Sequence, residues 1–266
     1  MTVPLPAGSV SPPPDGAEPA ISVRGLTMAY GDFVLQHDLT FDVQRGDIFA
    51  VMGGSGCGKS TLMRHLVGLQ EPARGSVWYG RQDFTNAGPD ERNRLLRRLG
   101  VLYQGGALWS SMTLAENVGL PLDEFTDLAP EEIREVTSVK LALVGLSGFD
   151  DYFPSDISGG MRKRAGLARA MALDPAILVI DEPSAGLDPI SSRLLDRLIV
   201  ELRDSLETTV VMVTHELDSI FSIATNSIFL DAETRTMTAA GPPTDLRDHC
   251  DDPTVRRFLH RGVDDE

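Results

Sequence analysis

The sequence has little of what marks several common classes of protein. Its 266 residues include two cysteines, Cys57 and Cys250, which are too few for a disulfide framework, so we expect a reducing compartment. No apolar run is long enough to cross a membrane, and the amino terminus lacks the basic and apolar segments of a signal peptide. Basic residues are also fewer than acidic residues. The formal net charge of −15 disfavours nucleic acid as a partner, because that polyanion binds clustered lysine and arginine.

The remaining composition is that of an ordinary globular protein, with 42% apolar residues and enough length for one large core or two small ones. Residues 1–19 differ, since they are rich in proline and carry almost no large apolar side chain. We interpret them as a disordered, solvated tail. Between Ile21 and Val43 two segments alternate apolar and polar residues, which predicts that an antiparallel sheet begins the domain.

A glycine-rich loop follows. Its pattern is GxxxxGK[ST], and its members are Gly53, Gly54, Ser55, Gly56, Cys57, Gly58, Lys59, Ser60 and Thr61. An apolar run typical of a buried strand precedes the loop, and a helical pattern of apolar residues follows it. The glycines let backbone N–H groups turn inward, and the helix N-terminus adds positive charge. We therefore predict a polyphosphate site here rather than a chance glycine-rich turn, with Lys59 reaching the β- and γ-phosphates and Ser60 offering its hydroxyl to Mg²⁺.

Polar side chains also follow three later predicted strands. Gln104 ends the first, Asp181 and Glu182 end the second, and His215 follows the third. Carboxyl ends of parallel strands are where ligands bind in such sheets. We predict that Asp181 holds Mg²⁺ through water and that Glu182 orients and deprotonates an attacking water. His215 is predicted to hydrogen-bond a γ-phosphate, and Gln104 to reach a metal-bound water. The alternatives are that the two acids cap a helix beginning near Pro189 and that the histidine is structural.

Two further features suit a nucleotide. Ser158 is a good N-cap, and with Gly159 and Gly160 it opens a second helix whose small residues could receive an anion. Tyr30 stands in a turn-prone stretch before the glycine-rich loop. Its ring could stack on adenine, or it could pack locally as an aromatic at a strand end.

In order and spacing, these motifs resemble the ATP-binding subunit of ABC transporters across about residues 21–240. The resemblance implies an α/β fold, a P-loop NTPase with a RecA-like parallel core and an antiparallel β subdomain. It also implies an α-helical subdomain at about 104–171, inside an ATPase domain spanning 20–241. ATP and Mg²⁺ are the implied cofactors, with Tyr30 stacking on adenine and Gln104 serving as a metal ligand. Residues 184–188 correspond to the family's D-loop, whose last residue is Asp188.

The same resemblance implies a homodimer. Two copies would face head to tail, with ATP held between the glycine-rich loop of one and the signature sequence of the other, which is Ser158, Gly159 and Gly160 here. This arrangement would explain why one chain carries two helix ends suited to phosphate. Soluble ABC-type ATPases that act on nucleic acid are disfavoured, because the chain is acidic and has no long coiled-coil or zinc insertion.

One residue of the signature sequence departs from the usual family pattern and indicates a subgroup of the family. The signature ends in Met161 where the family usually has glutamine, and together with residues 104–108 and the basic string at 162–164 this is similar to the ATPases of Mce-type lipid transport. The similarity implies phospholipid or another lipid as cargo, an integral membrane permease, Mce-type substrate-binding proteins, and a peripheral location on the cytoplasmic face of the inner membrane. Uptake of amino acids or another polar solute is the alternative.

Three further expectations concern Cys57, residues 104–118 and residues 242–266. The helix N-terminus and Lys59 should favour a thiolate at Cys57, unless that residue was selected only for its small size. Residues 104–118 should contact the permease through Leu108 and Trp109, unless those two side chains belong only to the core. Residues 242–266 form an extension in which a helix begins at Pro253. One edge of this helix is apolar and consists of Val255, Phe258 and Leu259. We expect it to pack either on its own domain or on the second subunit.

Overall fold

The computed structural model describes residues 18–260 and contains two β-sheets among them. The smaller sheet is antiparallel, with strand order β2-β1-β4-β5. Its strands are β1 (Ile21–Tyr30), β2 (Phe33–Val43), β4 (Arg74–Tyr79) and β5 (Gln82–Asp83). This sheet confirms the antiparallel subdomain expected from the alternating segments.

The larger sheet has six strands in the order β10-β9-β3-β8-β7-β6. Five of them run parallel: β3 (Ile48–Gly53), β6 (Leu99–Leu102), β7 (Ile177–Asp181), β8 (Thr209–Val213) and β9 (Asn226–Leu230). β10 (Met237–Gly241) is antiparallel to β9. Because the strands are parallel, the carboxyl ends of β3, β6, β7 and β8 lie at one edge, where Asp181 is in register with Val213. The predicted site residues follow these four ends.

Helices cover both faces of this sheet. They are α1 (Lys59–Leu66), α2 (Pro89–Leu96), α3 (Leu114–Phe125), α4 (Pro130–Leu143), α5 (Gly159–Ala170), α6 (Pro189–Leu206), α7 (Leu217–Ile223), α8 (Pro243–His249) and α9 (Pro253–Leu259). Successive residues of β3 enter different cores, since Ile48 and Ala50 pack with the helices α3 to α7, whereas Phe49 and Val51 pack with α1 and the smaller sheet. Such two-sided burial explains the continuous apolar runs of the parallel strands.

The helical layer lies within the predicted range and consists of α3, α4 and α5, which pack on one another. The apolar pattern of the sequence predicts only a short helical piece at residues 113–118, whereas α3 continues to Phe125. Thr113 begins it with a capping box, accepting from the Glu116 N–H at 3.2 Å. The helix then continues through Pro121, since Val118 and Leu122 on either side of the proline are both buried in the core.

Both ends of the described region are packed. Residues 1–17 of the predicted tail lie outside the described residues. The carboxylate of Glu18 accepts a hydrogen bond from the Arg81 N–H at 3.1 Å and Pro19 is buried, so the folded part begins by residue 18. At the other end, Val255, Phe258 and Leu259 of α9 are buried, and the Phe258 ring lies 5.2 Å from that of Phe229 in β9. The apolar edge thus packs on its own domain, and the alternative that a second subunit covers it is wrong.

Candidate active site

The glycine-rich loop runs from the end of β3 to the start of α1. At Gly53 φ is +145°, and a Cβ there would lie 2.4 Å from the Leu230 carbonyl oxygen, so only glycine fits. Gly56 also has positive φ, at +77°, but a Cβ there would meet nothing within 4 Å. The backbone at Gly56 therefore faces open space, which leaves room for a bound group to approach it.

Lys59 lies across this loop. Its ammonium group donates to the carbonyl oxygens of Gly53 and Gly54, both at 2.9 Å. The residue is 9% exposed, so its charge is held inside the loop rather than extended into solvent. A buried cation in that position raises the local positive potential where a polyphosphate would bind.

Cys57 does not fit the expectation of a thiolate. Its side chain is 1% exposed, and burial raises the pKa of the thiol even though Lys59 acts in the opposite direction. The expectation was wrong because the sulfur points into the core beneath the loop, where the charged form is poorly solvated. Cys57 is the one residue of the glycine-rich loop that does not line the cleft beside it. The Cys57 carbonyl accepts from Gln36 Nε2 at 2.8 Å, and the same amide donates to the Asp231 carbonyl, which fixes the loop to the end of β9.

We expect Cys57 to be alkylated slowly near neutral pH, at the same rate with and without saturating ATP. The raised pKa keeps the thiol protonated there, so the rate should increase as the pH rises past the ordinary thiol pKa of about 8.5. Timed iodoacetamide labelling of Cys250→Ala, followed by mass spectrometry, isolates Cys57, and Cys57→Ala gives the matched rate for Cys250. Fast labelling at neutral pH that ATP abolishes would contradict this expectation.

The two acids after β7 have different surroundings. Asp181 Oδ1 accepts from the Ser60 hydroxyl at 3.5 Å, and burial, aided by the negative charge of Glu182, raises the pKa of Asp181. Neither acid caps the following helix: Asp188 does, accepting from the N–H groups of Ile190 and Ser191, each at 3.0 Å. The capping alternative for the two acids is therefore wrong, and their carboxylates are left for the site.

Glu182 faces the end of β8. Its φ is +48°, a left-handed conformation that is uncommon for a residue with a side chain. His215 Nδ1 lies 2.8 Å from one carboxylate oxygen, and the Thr214 hydroxyl donates to the other at 3.3 Å. The Glu182 side chain is 13% exposed, compared with 56% for His215. The histidine is therefore a partner of the acid at the surface of the site, and Thr214 is a contact that sequence reasoning missed.

These elements enclose an open cleft of about 500 Å³. Its lining includes the loop residues Gly53, Gly54, Ser55, Gly56, Gly58, Lys59, Ser60 and Thr61, together with Gln104, Glu182, His215, Leu35 and Phe258. The fold thus gathers the glycine-rich loop and the three strand-end residues around one space. Leu35 and Phe258 were not expected here, and their apolar positions in β2 and α9 carry no sequence signal for a ligand.

Other predicted site residues do not line this cleft. Ser158, Gly159, Gly160 and Asp188 lie elsewhere, at the starts of α5 and α6, and the Ser158 hydroxyl accepts from the Met161 N–H at 3.2 Å. Tyr30 lies beside the loop, 48% exposed, with its hydroxyl 3.2 Å from Thr61 Oγ1. That hydrogen bond is the main cause of a lowered Tyr30 pKa.

Comparisons with known proteins agree with this geometry. The model of the family described as ABC transporter matches residues 36–185. The chain is 39% identical to the probable ribonucleotide transport ATP-binding protein mkl of Mycobacterium leprae, over 92% of this chain and 71% of the relative. It spans 66% of the length of the Mycobacterium tuberculosis protein of that name. It is also 37% identical to the intermembrane phospholipid transport system ATP-binding protein MlaF of Escherichia coli K12, over 90% of this chain and 88% of the relative.

A solved structure gives the same result. The dimeric post-hydrolysis state of the ATP-binding cassette MJ0796, bound to ADP and phosphate, superimposes with a TM-score of 0.75 and 26% identity, covering 83% of this chain and 97% of that one. The predicted fold class, the family resemblance and ATP hydrolysis are confirmed by these matches. The chain therefore belongs to the ABC transporter family, as an ATP-binding subunit that hydrolyses ATP.

Proposed function

We propose that this protein powers the transport of phospholipid or another lipid by an Mce-type complex. The observation that carries the proposal is the 37% identity to an intermembrane phospholipid transport ATPase over 88% of that relative's length. Met161, at the position where the family signature usually has glutamine, supports the same subgroup. The subunit would work at the cytoplasmic face of the inner membrane. No helix among residues 18–260 is long and apolar enough to cross a membrane.

ATP would bind with its triphosphate in the glycine-rich loop and Mg²⁺ beside it. The donors fit this cation, since Ser60 and Gln104 line the cleft, Asp181 contacts Ser60, and all three supply hard oxygen atoms. Residues 18–260 hold no group of three or more His, Cys, Asp or Glu side chains able to bind a metal, which suits a cation that depends partly on phosphate oxygens. Bound Mg²⁺ would neutralise charge on the phosphates.

Glu182 would act as the general base, taking a proton from water at its carboxylate. The contacts from Thr214 and His215 fix both carboxylate oxygens, so the group needs little reorganisation before it accepts a proton. His215 would also reach the γ-phosphate, and Lys59 would supply positive charge to the phosphates. These roles assign every polar side chain that lines the cleft at the strand ends.

A homodimer would complete the site. Ser158, Gly159, Gly160 and Asp188 lie outside the cleft of their own chain, which suits a head-to-tail arrangement in which they reach the partner's nucleotide. Their helix N-termini favour anions, and the Asp188 carboxylate fixes the start of α6 beside them. The dimeric state of the solved cassette supports the same arrangement. Tyr30, half-exposed at the loop, would stack on adenine.

The permease contact would lie in residues 104–118. Trp109 is 60% exposed, whereas Leu108 packs against the core, so the two residues expected to behave alike have different surroundings. Asn117 is fully buried, and its amide donates to the Trp109, Met112 and Thr113 carbonyl oxygens. This network fixes the segment that displays Trp109.

We expect Trp109→Asp to uncouple transport from ATP hydrolysis. The charge would stand on an exposed contact surface, so folding and the ATPase activity of the isolated subunit should be within about 3-fold of the wild type, because surface substitutions change stability little. Transport by the reconstituted complex should fall about 10-fold or more, as expected for a central aromatic at an interface. Phe153→Asp, at another exposed aromatic outside this segment, is the matched control. Full transport by Trp109→Asp would place the contact elsewhere.

Lipid cargo is tested on the complex itself. Purified with its membrane partners, the protein should co-purify with phospholipid or another lipid identified by mass spectrometry, and that lipid should stimulate its ATPase activity. A polar solute is the second candidate, because relatives at 39% identity are named for ribonucleotide transport. Stimulation by ribonucleotides, with none by lipid, would overturn the proposal in favour of that candidate.

A further inference from the structure

Lys163 is buried between the signature helix and the segment that carries Glu182. It lies in α5 and is 6% exposed. Its ammonium group donates to three backbone carbonyl oxygens, those of Glu182 at 3.1 Å, Pro183 at 2.5 Å and Ala185 at 2.6 Å. An ammonium group has three N–H donors, so all of them are used on one short stretch of chain.

That stretch requires such support. It lies between the end of β7 at Asp181 and the start of α6 at Pro189, where the regular pairing of the strand ends. The left-handed φ of +48° at Glu182 is strained for a residue with a side chain and persists only where the surroundings hold it. The Glu182 N–H donates to the Val213 carbonyl at 2.8 Å, and the Glu182 carbonyl accepts from the Lys163 ammonium group. The residue is thus fixed on both sides.

The direction of the Glu182 side chain follows from this backbone. With φ in the left-handed region, the carboxylate meets Thr214 and His215 at the cleft. A change in that backbone would move the carboxylate away from both partners. Lys163 belongs to the helix that begins at Ser158, so one ammonium group joins the signature helix to the acid within a single chain.

We propose that Lys163 is a positioning residue for ATP hydrolysis, which holds the backbone of residues 182–185 so that the Glu182 carboxylate is aimed at the cleft. This inference rests on the proposed role of Glu182 as the general base. Lys163 does not line the cleft and acts only through the acid. Its removal should therefore lower kcat and leave ATP binding almost unchanged.

The test compares neighbouring cations of α5 in the full-length chain. Lys163→Met removes the three donors at similar length. Arg164→Met is the matched control, because Arg164 donates to the Val144 and Gly145 carbonyls at 2.8 and 3.0 Å, within the helical layer. Steady-state ATPase kinetics, ATP binding by calorimetry and melting temperature are measured for each. Lys163→Met should lower kcat about 10–100-fold, since a displacement of about 1 Å can cost 10²-fold, with KM for ATP within about 3-fold.

Three further variants, Lys163→Arg, Lys163→Gln and Glu182→Gln, complete the experiment. Lys163→Arg keeps the charge and N–H donors, so its kcat should be close to that of the wild type. Arg164→Met should have a lower melting temperature than the wild type but a kcat within about 3-fold of it. If Lys163→Met does not fold, Lys163→Gln, which keeps two N–H donors, replaces it in the comparison. A kcat for the folded Lys163 variant equal to that of Arg164→Met overturns the inference. Glu182→Gln is measured in parallel: wild-type turnover there means that the base assignment has failed, whatever Lys163 shows.

Discussion

Glu182→Gln is expected to lower kcat for ATP hydrolysis by about 10²–10⁴-fold, the range that a general base contributes. The amide has nearly the same shape as the carboxylate but cannot accept the proton of the attacking water. The Glu182 carboxylate oxygens contact His215 and Thr214 rather than the glycine-rich loop, so ATP binding should stay within about 3-fold of the wild type. Phosphate release and calorimetry with ATP measure the two quantities, and the variant should accumulate as an ATP-bound dimer.

Glu216→Gln provides a matched control. Glu216 is the next residue after His215, and its carboxylate lies 3.7 Å from His215 Nε2, on the other side of the ring from Glu182. Its substitution removes the same charge from the same histidine without touching the cleft lining. The control should hydrolyse ATP within about 3-fold of the wild type. Equal losses in the two variants would assign the effect to local charge, and turnover by Glu182→Gln at the wild-type rate would exclude Glu182 as the base.

Most of the nucleotide cleft could be predicted because its signals are local. The glycine-rich loop is a continuous pattern, and Gln104, Asp181 and His215 each follow an apolar run that identifies a strand end. Once the strands are parallel, those ends meet at one edge. Neither step requires knowledge of contacts between distant residues.

The missed contacts join residues far apart in the chain. Gln36 fixes Cys57 and Asp231, across separations of 21 and 195 residues. Lys163 reaches the carbonyl oxygens of Glu182, Pro183 and Ala185, yet in the sequence it is only one of three consecutive basic residues at 162–164. No spacing rule selects such a partner, because a backbone carbonyl has no residue-type signal.

Other errors came from local rules that tertiary packing overrode. A helix N-terminus and Lys59 favour a thiolate at Cys57, but the sulfur is buried in the core, and burial dominates. The pattern at 113–118 predicts only a short helix, but burial of Val118 and Leu122 keeps α3 continuous through Pro121. β10 was not predicted at all, because its residues are only partly buried and give no clear apolar alternation.

Lys59→Ala is expected to weaken ATP binding by about 10–100-fold, because hydrogen bonds to charged groups contribute about 1.5–3 kcal/mol and 1.4 kcal/mol corresponds to tenfold. The substitution also removes the ammonium donor from the Gly53 and Gly54 carbonyls, so the ligand-free protein should melt at a lower temperature. The rise in melting temperature that saturating ATP gives the wild type should largely disappear.

Arg94→Ala separates these effects from simple loss of charge. Arg94 is exposed in α2 and does not line the cleft, so its removal changes the net charge equally but spares the loop. ATP affinity by calorimetry should stay within about 3-fold of the wild type, because an exposed charge is screened by solvent and salt. If Lys59→Ala bound ATP as tightly as this control, the buried ammonium would serve only to hold the loop carbonyls, and phosphate recognition would rest on the backbone N–H groups and the α1 N-terminus alone.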